Sequence, residues 1–152
     1  MTLFPESKSV RDQLLDHCRA TGLNVESPQS SDEVKWFYLL CIMDDCVSQS
    51  GFPYLFRYLN GNYLADLENA LVAVGAVQSQ QNYVAAAKAA LSDESGYVGY
   101  MEGGPNPGTH FYDTAVEASM RQLMEIGSVH DEVPAEMERL RREGLAFIEE
   151  SG

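Results

Sequence analysis

Residues 34–47 (VKWFYLLCIMDDCV) place apolar side chains on nearly every face of a helix. A helix without a polar face has to be covered all round, so this segment predicts a central helix wrapped by others. Its unbroken apolar run, residues 36–43, is closed by Lys35 and Asp44. It is far shorter than the ~18 residues of a membrane span, and a core helix is expected. A chain of 152 residues fits a single domain over 1–152, large enough to bury a core without disulfide or metal staples.

Helical periodicity continues on both sides. Val10, Leu14 and Cys18 share a face of a helix expected over residues 7–20, stopped by Gly22. Ser30 and Glu33 have capping-box spacing at the entrance to the central helix. Residues 48–53 (SQSGFP) predict a break, followed by a short helical turn over 54–59 that ends at Asn60-Gly61. A third long helix is expected over 62–74, with Leu64, Leu67, Leu71 and Val74 on one face and Gly75 ending it. An alanine-rich helix over 79–91 implies close packing against a neighbour. Residues 93–108 hold five glycines and two prolines and predict a loop, with 97–101 as a possible extended piece. A fifth helix is expected over 109–126, with Tyr112, Val116, Ser119, Leu123 and Ile126 inward. A sixth over 134–150 opens on Pro134, with Met137, Leu140, Gly144 and Phe147 on one face. The expected fold class is all-α, a single compact domain of about six helices plus a short helical turn.

Charge restricts function. There are 23 Asp and Glu against 10 Lys and Arg, a formal net charge of −13. Such a surface repels duplex DNA, RNA and anionic lipid, so no direct nucleic acid and no membrane is expected as a partner. The N-terminus lacks the basic and apolar pattern of a signal peptide. The cysteines, Cys18, Cys41 and Cys46, are odd in number and lack a CxxC pair, which reads as reduced thiols of a cytoplasmic protein, the first two core-filling.

Catalytic candidates are sparse. His17, His110 and His130 fall in three different elements without metal-ligand spacing and read as surface or structural residues. His17 and Cys18, adjacent on a helix, point about 100° apart and make no nucleophile pair. Asp44-Asp45 offers paired carboxylates for acid–base work or a divalent metal, although neighbours on a helix splay and a solvated or locally bonded role is expected. The Gly103–Gly108 stretch lacks the lysine of a phosphate loop and reads as a rigid turn. No catalytic constellation and no metal site emerge.

The acids are unevenly placed. Residues 89–137 contain Asp93, Glu94, Glu102, Asp113, Glu117, Glu125, Asp131, Glu132 and Glu136 against the single base Arg121, so nine negative charges less one positive leave −8. Asp113–Glu117 and Glu132–Glu136 are like-charged i,i+4 pairs, which cost helix stability. Either this is a solubilising face, or spaced carboxylates present a basic DNA-binding surface with an imitation of phosphate rows.

A patterned segment lies largely outside these acids. Trp36 and its helix lead into Val47-Ser48-Gln49-Ser50-Gly51-Phe52, then Tyr54-Leu55-Phe56 and Asn60, then Ala70-Leu71 and Gly75-Ala76. This pattern, over residues 36–90, resembles the DNA mimic protein 19 family (domain of unknown function 4375). Ser50 stands where the family has the first glycine of its turn, and Pro53 where it has a polar residue. The resemblance implies an all-helical dimer with no catalysis and no cofactor, acting as a DNA mimic on a transcription factor. Within the motif an architectural role is expected: Gly51 for a tight backbone, Phe52 and Phe56 as anchors, Asn60 as a cap for the next helix, Gly75 as a stop. Tyr97, Tyr100, Phe111 and Tyr112 are expected as an exposed apolar patch for a homodimer.

These readings give an expected function. The chain is a non-enzymatic acidic regulator whose nine carboxylates between Asp93 and Glu136 bind the basic surface of a DNA-binding protein. An immunity-type or toxin-neutralising protein is the alternative, and a metal-dependent enzyme using Asp44, Asp45 and His17 is a second.

Overall fold

The computed structural model describes residues 32–151, apart from the side chains of the last two, and Asp12. The described residues form an all-α fold without strands. The helix expected over 7–20, the Ser30 cap, His17 and Cys18 lie outside them.

The central helix α1 spans Asp32–Tyr58 and has the burial its composition demands. Phe37, Leu39, Leu40, Ile42, Met43, Phe52, Leu55 and Phe56 are at most 2 % exposed, so both halves of α1 are core. Cys46 is buried along with Cys41, so it fills core as well. The expected break over 48–53 contracts to one residue. Gly51 has φ 83° and ψ −177°, a region open essentially to glycine alone. Helical geometry resumes at Phe52-Pro53, with Pro53 in the first turn, where its missing N–H costs nothing.

Restarting a helix inside the core leaves its first N–H groups without intrahelical partners. The Phe52 N–H is met by the Ser119 hydroxyl at 2.8 Å, and that hydroxyl donates to the Ala115 carbonyl at 2.7 Å. Ser119 thus does the work of an N-cap from 67 residues away in sequence. A Cβ on Gly51 would lie 2.7 Å from the Ser119 oxygen, so the bend needs glycine for its backbone angles and for this approach.

The chain leaves α1 through Asn60 and Gly61, both at positive φ. Asn60 does not cap the next helix, as its position suggested. It takes the left-handed conformation at the end of α1 and is exposed. Helix α2, Leu64–Val74, begins after Tyr63 without any side-chain cap. Its inward row is Leu67, Ala70, Leu71 and Val74, and Gly75 closes it in the left-handed region, its N–H directed to the Leu71 and Val72 carbonyls. Lys35 on α1 reaches Asp66 on α2 at 3.7 Å.

Helix α3, Val77–Ser92, packs most extensively on helix α5, His110–Arg121. Ala86 and Ala89 on α3 and Ala115 and Ala118 on α5 are buried, which allows the close approach that the alanine content implied. The Gly/Pro-rich segment departs from expectation: Glu94–Gly103 is helix α4, neither loop nor extended. Asp93 starts it by accepting the Gly96 N–H at 3.1 Å, and Gly96 is tight against Thr109. The true loop is the short stretch from Gly104 to Thr109.

Helix α5, His110–Arg121, is N-capped by Thr109 and continues as a π-helical turn, Gln122–Ile126. Its inward face is Phe111, Ala115, Ala118, Ser119 and Gln122. Of the expected face, Ser119 is buried, Tyr112, Val116 and Ile126 are only half-buried, and Leu123 is exposed, because the inward row is shifted onto the small residues. A one-turn helix α6, Val129–Glu132, precedes α7, Pro134–Ser151, which buries Met137, Leu140 and Gly144 against the core. No helix among the described residues is long and apolar enough to cross a membrane.

Gly51→Ala is expected to destabilise the fold by about 2–4 kcal/mol in urea denaturation, from backbone strain plus the Ser119 clash. Ser119→Ala alone is expected to cost about 1–2 kcal/mol by orphaning the Phe52 N–H. Because it removes the clashing oxygen, the double variant is expected to lose less than the two single losses added together.

Candidate functional site

Where the long apolar helix turns polar, Asp44 is 5 % exposed. Its carboxylate accepts the Val129 N–H at 2.9 Å and the His130 N–H at 3.3 Å, and His130 Nδ1 lies 2.6 Å from Oδ2. One buried carboxylate therefore holds the start of α6 and the ring of its second residue. Burial pushes the Asp44 carboxyl above the ordinary carboxylate range, outweighing the opposing pull of His130 and the two backbone N–H groups. One sequence expectation changes here, and the surface-or-structural reading of His130 narrows to structural. Asp44 is bonded over long range, neither solvated nor locally bonded, and His130 is enclosed at its ring with a partner 86 residues away. Both Asp44 oxygens are engaged by these donors, and Asp45 is half-buried. Among the described residues no group of three or more His, Cys, Asp or Glu could hold a metal ion.

Next to it a polar chain joins α3, the π turn and α6. Glu132 accepts the Gln78 and Ser79 N–H groups, each at 2.9 Å, and the Ser79 hydroxyl at 2.6 Å. Gln122 donates to the Ser79 oxygen at 2.9 Å and accepts from Asn82 at 3.0 Å. Arg121 donates to Asn82 at 3.3 Å and to Glu117 at 3.2 Å. Glu132 thereby caps α3, whose own N-cap residue, Ala76, has no side chain able to do so.

The nine acids expected at a partner surface divide by role. Asp93 bridges two helix starts, accepting from Gly96 and from the Phe111 N–H at 2.9 Å, and these bonds hold its carboxyl below the ordinary range. Asp131 forms a reciprocal capping box with Ser128, and Glu132 caps α3. Asp113 is exposed and accepts the Gly108 N–H at 3.0 Å. Glu117 is paired with Arg121 and Glu136 with Arg139. Glu94, Glu102 and Glu125 are exposed on α4 and the π turn. The acidic segment thus supplies the caps of α3, α4 and α6 as well as surface charge.

The aromatic patch expected for a dimer is mostly interior. Tyr100 and Phe111 are buried, and Tyr97 and Tyr112 are half-buried. Tyr97 meets Phe111 edge-on with centroids 5.3 Å apart, and the Arg57 guanidinium sits 3.8 Å from the centre of the Tyr100 ring.

What the sequence did not disclose is a groove of about 560 Å³ between α2, α3 and α4. Phe56, Tyr83 and Tyr97 line it, with Ala65, Ala87 and Ala90. Leu91 and Val98, also in its lining, are 86 % and 41 % exposed. The Tyr83 hydroxyl donates to the Leu64 carbonyl at 2.8 Å, and burial, with Glu68 and then Tyr97 nearby, pushes its ionisation upward. The charged residues of the lining are Glu68 and Glu94. Leu91, an exposed leucine at the end of the alanine-rich helix, was the available signal.

No family model, curated protein or solved structure matches this chain.

Asp44→Ala is expected to cost about 3 kcal/mol, because the Val129 and His130 donors lose their buried acceptor. Asp44 and Asp93 are expected to respond to pH with opposite sign. Asp44 has a raised folded value, so its contribution is complete below the unfolded pKa and is lost as pH rises through the folded one. Asp93 has a lowered value, so its contribution is present above the unfolded pKa and is lost as pH falls through the folded one. Urea titrations from about pH 3 to about pH 7 are expected to show wild type losing ground to Asp44→Asn and gaining on Asp93→Asn as pH rises.

Proposed function

We propose that this domain is a non-enzymatic binding module whose surface carboxylates engage the basic face of a DNA-binding protein. The observation that carries the reading is the placement of charge that the fold itself does not use. Glu94, Glu102 and Glu125 are exposed, and the one base of their segment, Arg121, is already tied to Glu117 and Asn82. Most arginines of the described residues are also engaged. Arg139, Arg141 and Arg142 sit on α7 against Glu33, Glu136 and Glu138, and Arg57 lies on Tyr100. The acid on α4 and the π turn thus keeps its field toward solvent, where it steers a cationic partner and strengthens as salt is lowered. The resemblance of residues 36–90 to the DNA mimic protein 19 family supports the same class of partner.

Carboxylates serve this purpose because a DNA-binding protein reads phosphates first as charge and only then reads base edges. A folded acidic surface that occupies its lysines and arginines removes it from DNA without any chemistry.

The test is capture of basic DNA-binding proteins on the immobilised full chain at about 0.05 M and about 0.5 M salt, with duplex DNA as competitor. Capture is expected at the lower salt only, with release by the duplex. The combined variant Glu94→Gln, Glu102→Gln, Glu125→Gln is expected to weaken binding about 10- to 100-fold while changing stability by less than about 0.5 kcal/mol. Binding that ignores salt and duplex DNA overturns the reading, and capture confined to a cationic nuclease transfers it to toxin neutralisation.

A further inference from the structure

The groove between α2, α3 and α4 is a feature that the acidic surface alone leaves unused. Its volume of about 560 Å³ is in the range of sites that enclose a substantial ligand. It runs beside α3 from Tyr83 to Leu91, eight residue steps or about 12 Å of helix. That length matches two turns of a second helix laid alongside.

The walls suit a helix. Ala65, Ala87 and Ala90 give low relief where a backbone must come close, and the buried Phe56 and Tyr83 close the floor beside half-buried Tyr97. The Tyr83 hydroxyl is already bonded to the Leu64 carbonyl, so the floor asks for no polar partner. Leu91, 86 % exposed, and Val98, 41 % exposed, leave apolar surface for an incoming side chain to cover. The charge in the lining is of one sign, from Glu68 and Glu94, with no lysine or arginine among the lining residues. A second copy of this chain is poorly suited to such a rim, since each copy carries a formal charge of −13 and like charges facing one another cost binding energy.

We propose that this groove receives the apolar face of a short basic amphipathic helix from a partner protein, with lysines or arginines flanking that face meeting Glu68 and Glu94. The inference rests on the reading that the partner is basic and adds where on the domain it docks. Helix-in-groove recognition of this kind is anchored by apolar side chains at i, i+3 or i+4, and i+7. Charge then brings the partner in, and the groove selects partners whose basic segment has an apolar stripe.

The test uses the full chain and four labelled peptides of about four helical turns. One has a leucine stripe flanked by lysines, and one is a scrambled isomer of the same composition. The third has the same stripe flanked by glutamines, and the fourth by glutamates. Fluorescence anisotropy is expected to show the basic striped peptide binding at least about tenfold tighter than its scrambled isomer and than the glutamate form. Leu91→Asp, at an exposed position, and Ala90→Trp, which fills the groove, are each expected to abolish that preference with an unchanged circular dichroism spectrum. Glu68→Gln with Glu94→Gln is expected to weaken the basic peptide and leave the glutamine peptide unaffected.

If both basic isomers bind equally and Leu91→Asp changes nothing, the groove proposal is overturned while the basic-partner reading stands. If the glutamine peptide binds as well as the basic one, the basic-partner reading fails at this site. Three other occupants would each overturn the proposal. A dimer that Leu91→Asp dissociates in light scattering assigns the groove to a second copy. Nuclear Overhauser contacts from the Leu91 methyls to residues 1–31 assign it to the chain's own N-terminal segment. Dodecylammonium binding that Ala90→Trp abolishes, with no peptide bound, assigns it to a small amphiphile.

Discussion

At Gly51 the long central helix changes direction inside the core, and the rest of the packing follows from how that bend is made. A straight helix over residues 32–58 would be about 40 Å long and could not be covered by helices of ordinary length. The bend folds it into two shorter buried pieces, but the second piece then begins with an unsatisfied N–H in a place water does not reach. The Ser119 hydroxyl answers that need, and in doing so fixes α5 against the bend at one register. With α5 fixed, the small buried side chains Ala115 and Ala118 on α5 and Ala86 and Ala89 on α3 let α3 come in close. One backbone conformation, one hydroxyl and four small side chains therefore set three helices.

The same logic of buried helix ends explains where the acids go. Four helix starts each receive a carboxylate, in place of a missing cap at α3 and beside the Thr109 and Ser128 caps at α5 and α6. Asp44 serves α6 from α1, Glu132 serves α3 from α6, Asp93 serves α4 and α5, and Asp131 closes α6 locally. A carboxylate at a helix N-terminus interacts favourably with the macrodipole and with free N–H groups. Part of the high acid content is thus a structural requirement of a fold made of short helices with abrupt turns. Asp44 is the costly member, since burial opposes its ionisation. The two backbone donors and the His130 ring are what make such a site tolerable.

How much of this was legible in the sequence depended on the range of the interaction. The central helix, Gly75 as a stop, Pro134 as a start and the burial of Phe52 and Phe56 followed from local pattern and hold in the structure. Helix α4 was missed because its glycines were counted as breakers. Yet Asp93 in cap position, followed by Tyr97, Tyr100 and Met101 at helical spacing, was a usable signal. The face of α5 was misjudged because Tyr112, Val116 and Leu123 are more hydrophobic than Ala115 and Ala118. Close packing against an alanine-rich neighbour selects small residues, and single-helix hydrophobicity does not reveal that. The Asp44–His130 contact spans 86 residues and has no local trace at all.

Sorting the carboxylates by what they touch also changes the meaning of the net charge. Those at helix starts face N–H groups, and Glu136 and Glu138 on α7 face arginines, so their fields close within the domain. The charge left facing solvent is therefore a smaller set, which includes Glu94 and Glu102 on α4 and Glu125 on the π turn, with Glu68 on α2 half-buried beside the groove. Glu94 belongs both to that set and to the lining of the groove. Charge alone gives speed and breadth of association, whereas an apolar groove gives discrimination between partners of equal charge. Their meeting at Glu94 gives one surface the means to do both, which neither a uniformly acidic coat nor an uncharged groove could do.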